Sequence, residues 1–240
     1  MPGKKEVALM TIRLTFLCAP GGDATVDPFL GDAPLSERGL HSAGAAGAAL
    51  SSHGPAVRAP SIRCAQTADA LGLPAVPEPA LRDLDLGAWR GRTRADVAAT
   101  DPHGFSAWLT DPDAAPHGGE SVRQLCRRTA DWLGCARAEA DHTPAVTEAA
   151  VVRAALVHAL ALPTRAFWHL AVPPLCAIVL TRQSDRWDVR LGYATHREPQ
   201  RWFLRDQRHS TAPTVIGPRR PVGVVADDRF PPAERSSPAA

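Results

Sequence analysis

The sequence predicts an α/β sandwich, and three observations predict it. Short apolar runs rich in β-branched residues alternate along the chain with segments of helical period. The strand candidates end in small-residue turns, where α/β folds place their sites. The 240 residues are 45% apolar and 22% charged, enough for one domain with a real core.

Ile12 to Leu17 alternates and runs into Ala19-Pro20-Gly21-Gly22, as a buried strand entering a loop does. Because this strand starts almost at Met10, residues 1–9 read as a disordered N-terminal addition. Ser36 to Ser52 is an alanine-rich helix with Ser36 as its cap and Gly54-Pro55 beyond its end. Pro55 to Ala59 follows as a short strand. Ser61 caps a helix through Ala65, Ala68 and Leu71 to Gly72. From Leu73 to Pro116 the chain is irregular, with helical patterns at Thr93 to Thr100 and Gly104 to Leu109, and reads as a lid-like insertion. Glu120 to Glu139 places Val122, Leu125, Cys126, Thr129, Trp132, Leu133 and Ala136 at helical spacing, an amphipathic helix. Pro144 to Thr147 is a strand feeding a helix from Glu148 to Leu162, and Leu175 to Thr181 and Trp187 to Leu191 are the last strands. These elements set a domain over residues 10–193. Residues 194–240 hold seven prolines and eight arginines without amphipathic period and read as a flexible tail. Trp202, Phe203 and Leu204 form an apolar island there, either a strap on the domain or a docking motif for a protein partner.

Composition removes several functions. The formal charge is +2, from 27 basic and 25 acidic side chains, so neither nucleic acid nor an anionic membrane is expected as partner. Lys4 and Lys5 are the only lysines, which denies the body of the chain a Schiff base, a pyridoxal phosphate anchor or a P-loop lysine; no cofactor is expected. The five cysteines are scattered without a C-x-x-C, and the nine histidines form no pair at helical metal spacing, so no metal is expected either. The longest apolar stretch, Ala149 to Leu162, is too short and too polar to span a bilayer, and the N-terminus lacks a signal-peptide core. A cytoplasmic location is the expectation.

Three groups of residues carry a family resemblance. The first is Leu14-Thr15-Phe16-Leu17 with Asp32-Ala33-Pro34-Leu35-Ser36-Glu37-Arg38-Gly39. The second is Arg63-Cys64-Ala65-Gln66-Thr67-Ala68 with Leu81-Arg82-Asp83-Leu84-Asp85-Leu86-Gly87-Ala88-Trp89-Arg90-Gly91. The third is Gly118-Gly119-Glu120-Ser121 with Val146-Thr147-Glu148-Ala149-Ala150-Val151-Val152-Arg153-Ala154. In this order and spacing the chain resembles the histidine phosphatase superfamily, in particular its small bacterial α-ribazole-phosphatase-like members. The resemblance implies a phosphoglycerate mutase-like α/β/α sandwich with a mostly parallel sheet.

The same resemblance exposes departures in the chemistry. The family's first strand ends in Arg-His-Gly, whose histidine takes the phosphoryl group; the matching residues are Cys18, Ala19 and Pro20. A methyl group has no lone pair with which to attack phosphorus. The second family histidine matches Glu148, and the general-acid glutamate matches Asp83, one methylene shorter. Only Arg63 matches the family pocket outright. A carboxylate about 4 Å from a phosphate oxygen repels it by roughly 4 kcal/mol at an effective dielectric of about 20. A hydrogen bond to a charged group recovers only about 1.5–3 kcal/mol.

The candidate catalytic residues are therefore Arg63, Asp83 and Glu148. Arg63 and Glu148 are expected to face each other, either gripping a ligand or filling their own vacancy as a buried ion pair. Asp83 and Glu148 are two carboxyls near one cleft, the arrangement that divides acid from base, or else relics with Asp83 capping its loop. Gly21, whose loop can present backbone N–H groups, and His117, expected on the cleft rim, join Arg63 as candidate substrate-binding residues. Cys18 and Cys64 are either activated thiolates or buried thiols; no cysteine has an arginine six positions later, as cysteine-dependent phosphatases do. The expected function is a homologue that forms no phosphohistidine: a binding or regulatory pseudoenzyme, or a domain turned to acid/base chemistry on a small molecule. The alternative is a phosphomonoester phosphatase or mutase with an atypical mechanism.

Overall fold

β1 (Thr11–Cys18) puts Ile12, Leu14, Phe16 and Cys18 on one face, and from Leu14 onward the sheet buries both faces, Thr15 included. The computed structural model describes residues 11–21, 32–47, 55–136, 142–183 and 186–193. The N-terminal addition, Gly22, the predicted helix beyond Gly47 and the tail from 194 lie outside the described residues.

The six strands run in the order β3-β2-β4-β1-β5-β6. β2 (Ala56–Arg58), β3 (Ala75–Pro77) and β4 (Thr143–Thr147) run parallel with β1. β5 (Cys176–Gln183) pairs antiparallel with β1, and β6 (Arg186–Tyr193) returns antiparallel to β5. Five strands therefore share one direction and β5 alone is reversed.

The helices begin where their caps place them. α1 (Glu37–Gly47) buries Gly39, Ala43 and Ala46, so small residues bring it close to its neighbours. α2 (Ile62–Ala70) starts at Ser61, whose hydroxyl accepts from the Cys64 N–H as its sequence position predicts. α3 (Arg94–Thr100) and α4 (Pro102–Thr110) lie in the insertion. α5 (Val122–Cys135) is shorter than the predicted Glu120 to Glu139. Ser121 and Gln124 close a capping box that leaves Glu120 outside, and Ala136 is already extended. α6 (Ala149–Ala159) buries Val151, Val152 and Ala154 to Val157 and has Glu148 at its N-cap.

The stretch from Leu73, read from sequence as irregular, contains β3, a correction with a simple cause. Three residues ending in proline are too short to show alternation, and β3 exists only because the edge of β2 offers it partners. The rest of the insertion builds an aromatic centre of its own from Trp89, Val97 and Trp108, with Phe105 and Trp168 against it. No helix among the described residues is long and apolar enough to cross a membrane.

Candidate functional site

The carboxyl ends of three parallel strands meet at one edge of the sheet. Ala19 N–H, just past β1, donates to Thr147 O at 2.8 Å, and Ala59 N–H, just past β2, donates to Val146 O at 2.8 Å. These bonds bring Ala19, the Ser61 turn and Glu148 to one place, the position where open α/β sheets bind ligands. Arg63 enters from the first turn of α2.

The structure brings Arg63 and Glu148 together as expected. Both are buried, and Arg63 Nη2 lies 3.9 Å from Glu148 Oε1. That same oxygen accepts a 2.5 Å hydrogen bond from Ser61 Oγ. Glu148 Oε2 is buried and has no hydrogen-bond partner among the described residues. Glu148 also makes no side-chain bond to its own helix, although its carboxyl stands at the positive end of α6. Sequence alone identifies Ser61 as a helix cap; its second role, as donor to a residue 87 positions away, belongs to the fold.

Asp83 joins this pair. It is exposed to solvent on a crowded part of the surface. That crowding raises its pKa from 3.8 to about 7, assisted by the charge of Glu148 and opposed by the Leu84 N–H, Arg63 and Arg128. The Leu84 N–H donates to Asp83 Oδ1 at 2.9 Å. Asp83 holds only the next N–H of its loop, while Asp85 accepts from Gly87 N–H at 3.0 Å; Asp83 also lies within electrostatic reach of Glu148.

The loop carrying Asp83 is fixed by residues whose role the sequence does not disclose. Arg128 on α5 forms a bidentate pair with Glu120, at 2.9 and 2.7 Å, and donates to the carbonyls of Ala80 and Arg82. Glu120 N–H reaches Asp85 O at 2.7 Å, and a Cβ on Gly119 would collide with that carbonyl. Glycine is required there by close approach of two backbones. Arg153, one turn into α6, donates to Leu170 O at 2.8 Å and lies over the Phe167 ring. Gly119, Glu120 and Arg153 are signalled in the sequence only by the motifs that contain them, and Arg128 lies in none.

Of the two remaining expected residues, His117 is drawn into the protein and Gly21 stays at the carboxyl end of β1. His117, expected on the rim, is buried: its Nδ1 accepts from Gly119 N–H at 3.0 Å and its ring meets Trp89 edge-on at 5.0 Å. The tight Gly118-Gly119 turn folds the ring inward, and burial lowers its pKa against the pull of Asp85. Gly21 is exposed just beyond β1, with open space where a Cβ would stand.

Cys18 and Cys64 are both buried. The Cys18 thiol is pushed up by its hydrogen bond with Cys176 and then by burial. Burial first, and the charge of Glu148 second, push Cys64 up. Both are thus held as thiols, which favours the buried-thiol reading over an activated nucleophile.

The comparisons agree with this geometry. The model of the histidine phosphatase superfamily (branch 1) matches residues 29–195. A bifunctional protein of Mycobacterium tuberculosis is 37% identical over 105 residues, covering 41% of this chain and 29% of its own length. A glucosyl-3-phosphoglycerate phosphatase of Mycolicibacterium vanbaalenii is 35% identical over 118 residues, 42% of this chain and 52% of its own length. The chain thus spans about half or less of the curated relatives it matches. The structure of a mycobacterial glucosyl-3-phosphoglycerate phosphatase superposes with a TM-score of 0.65 at 26% identity, covering 77% of this chain and 100% of that one. The α-ribazole phosphatase from Shigella flexneri gives a TM-score of 0.67 at 22% identity over 76% and 96% of the two chains, a likeness of fold. Its matched motifs, its phosphoglycerate mutase-like sheet and the family model that covers most of its length show that the chain belongs to the histidine phosphatase superfamily.

Proposed function

We propose that this member of the superfamily is not a phosphohistidine phosphatase and uses its cleft to bind a small molecule, with Asp83 and Glu148 as its acid and base groups. One observation carries the reading: Glu148, buried at the N-cap of α6 beside Ala19, holds a carboxyl oxygen without a partner. On the family resemblance these two positions belong to the histidines that accept and bind the phosphoryl group. A methyl group at Ala19 forms no bond to phosphorus, and the Glu148 carboxyl opposes an anion where the family stabilises one. The expectation that Arg63 and Glu148 merely fill their own vacancy fits less well. A self-sufficient pair would be bidentate and short, and this one approaches only to 3.9 Å with one oxygen left over.

The test is hydrolysis of p-nitrophenyl phosphate by the full chain from pH 5 to pH 8, expected to equal the buffer blank. Glu148→Gln is expected to raise phosphate affinity about tenfold, because it removes the opposing charge. Turnover above the blank, or unchanged phosphate affinity in the variant, overturns the proposal.

A phosphatase using water as nucleophile is the second reading, favoured by Asp83. A carboxyl raised to about 7 keeps its proton near neutrality, as a general acid for a leaving group must. Its signature is hydrolysis that Asp83→Asn abolishes. The phosphatase names of the relatives give this reading its substrate class.

A further inference from the structure

Counting donors and acceptors in the cleft shows what its ligand must bring. The arginines around it are engaged. Arg63 faces Glu148, Arg128 grips Glu120 and two carbonyls, and Arg153 donates to Leu170 O. The acceptors are not all engaged. Glu148 Oε2 has no partner among the described residues, and the Asp83 carboxyl accepts from Leu84 N–H at Oδ1. A buried carboxyl oxygen without a donor is costly, by more than a made hydrogen bond gains. The positive end of α6, which elsewhere attracts anions, already carries the Glu148 carboxyl. Among the described residues, what Glu148 Oε2 lacks is a donor.

We propose that the cleft formed by Ser61, Arg63, Asp83 and Glu148 binds a small protonated amine, with its N–H groups on Glu148 Oε2 and the Asp83 carboxyl. The inference rests on the cleft being a binding site without phosphohistidine chemistry, and it adds the chemical class of the ligand. An ammonium group supplies up to three donors and a positive charge between two acids. A quaternary ammonium supplies the charge without the donors and fits less well. Binding strengthens from pH 6 to pH 8, because Asp83 loses its proton in that range while a primary amine keeps its own. The charged groups acting on Asp83 are Glu148 and Arg153 at α6, Arg63 on α2 and Arg128 on α5.

The experiment is thermal shift and titration calorimetry on the full chain. The probes are ethanolamine, 1,4-diaminobutane, tetramethylammonium and inorganic phosphate, each at pH 6 and pH 8. The expected result is stabilisation by the two primary amines, more at pH 8, with tetramethylammonium and phosphate weaker by about tenfold or more. Glu148→Gln is expected to lose at least about tenfold in amine affinity, and Asp83→Asn to lose the pH dependence. The second variant keeps the test open if the first fails to fold. Amine binding that survives both substitutions overturns the proposal. Equal binding of tetramethylammonium overturns the donor argument and leaves the non-phosphatase reading intact. Phosphate binding without amine binding overturns both. Binding of neither class, with p-nitrophenyl phosphate still at the blank, overturns the amine proposal alone.

Discussion

Two of the arginine–carboxyl pairs among the described residues are buried, Arg128 with Glu120 and Arg63 with Glu148, and they differ in how completely the carboxyl is satisfied. Glu120 and Arg128 are about nine-tenths buried, joined by two short hydrogen bonds, and Arg128 also ties down two carbonyls of the Asp83 loop. Glu148 and Arg63 are buried as deeply, yet approach only to 3.9 Å and leave one oxygen unpartnered. The first pair has the geometry of scaffolding, because every strong contact is made within the chain. In the second, Glu148 keeps one oxygen without a partner among the described residues, which is how a protein holds a group ready for something outside itself. Equal burial with unequal satisfaction separates a support from a site.

The largest expected effect tests the support. Arg128→Ala should destabilise the chain by about 3 kcal/mol in urea unfolding, since it leaves the buried Glu120 carboxyl with only the longer contact to Arg82 and takes the donor from two carbonyls. A loss within about 1 kcal/mol would break the contrast, being the size of an exposed pair's contribution. The like-for-like comparison comes next. Glu120→Gln should cost about 2 kcal/mol, as one charge-assisted bond of the bidentate pair is lost. Glu148→Gln should change stability by less than about 1 kcal/mol, because glutamine still accepts from Ser61 and the removed charge was poorly paired. Equal costs for the two glutamine variants would make the cleft pair scaffolding too.

The smallest effect sharpens the site. The folded-state pKa of Asp83 is raised from 3.8 to about 7, so ionising it disfavours the folded state. Its contribution to stability is full below about pH 4 and is lost as pH rises through about 7. Thermal unfolding from pH 4 to pH 8 should therefore show wild type losing stability relative to Asp83→Asn, modestly because the residue is open to solvent. A parallel course for the two proteins would remove Asp83 from the coupled pair.

Most of the architecture is legible in the sequence because it depends on local rules. The apolar run from Ile12, the cap at Ser61 and the spacing of Val122, Leu125, Thr129 and Leu133 act over a few residues and appear in the structure. β3 escapes a local reading because it forms only against a neighbour. In the cleft, Arg63 and Glu148 are legible through the motifs that carry them, and the structure sets them face to face. His117 is misplaced by local reasoning because a turn at Gly118 and Gly119 folds its ring onto Trp89. Ser61, Glu120 and Arg128 take their roles from partners far along the chain, and no periodicity reports those.

The sequence by itself determined which chemical groups exist: a methyl group at 19, carboxyls at 83 and 148, a guanidinium at 63 and no lysine beyond residue 5. Only the tertiary structure decided which of those groups are satisfied. Side-chain identity is fixed by covalent chemistry, while desolvation and pairing depend on atoms from β1, α2, α5 and α6 arriving at the same few ångströms.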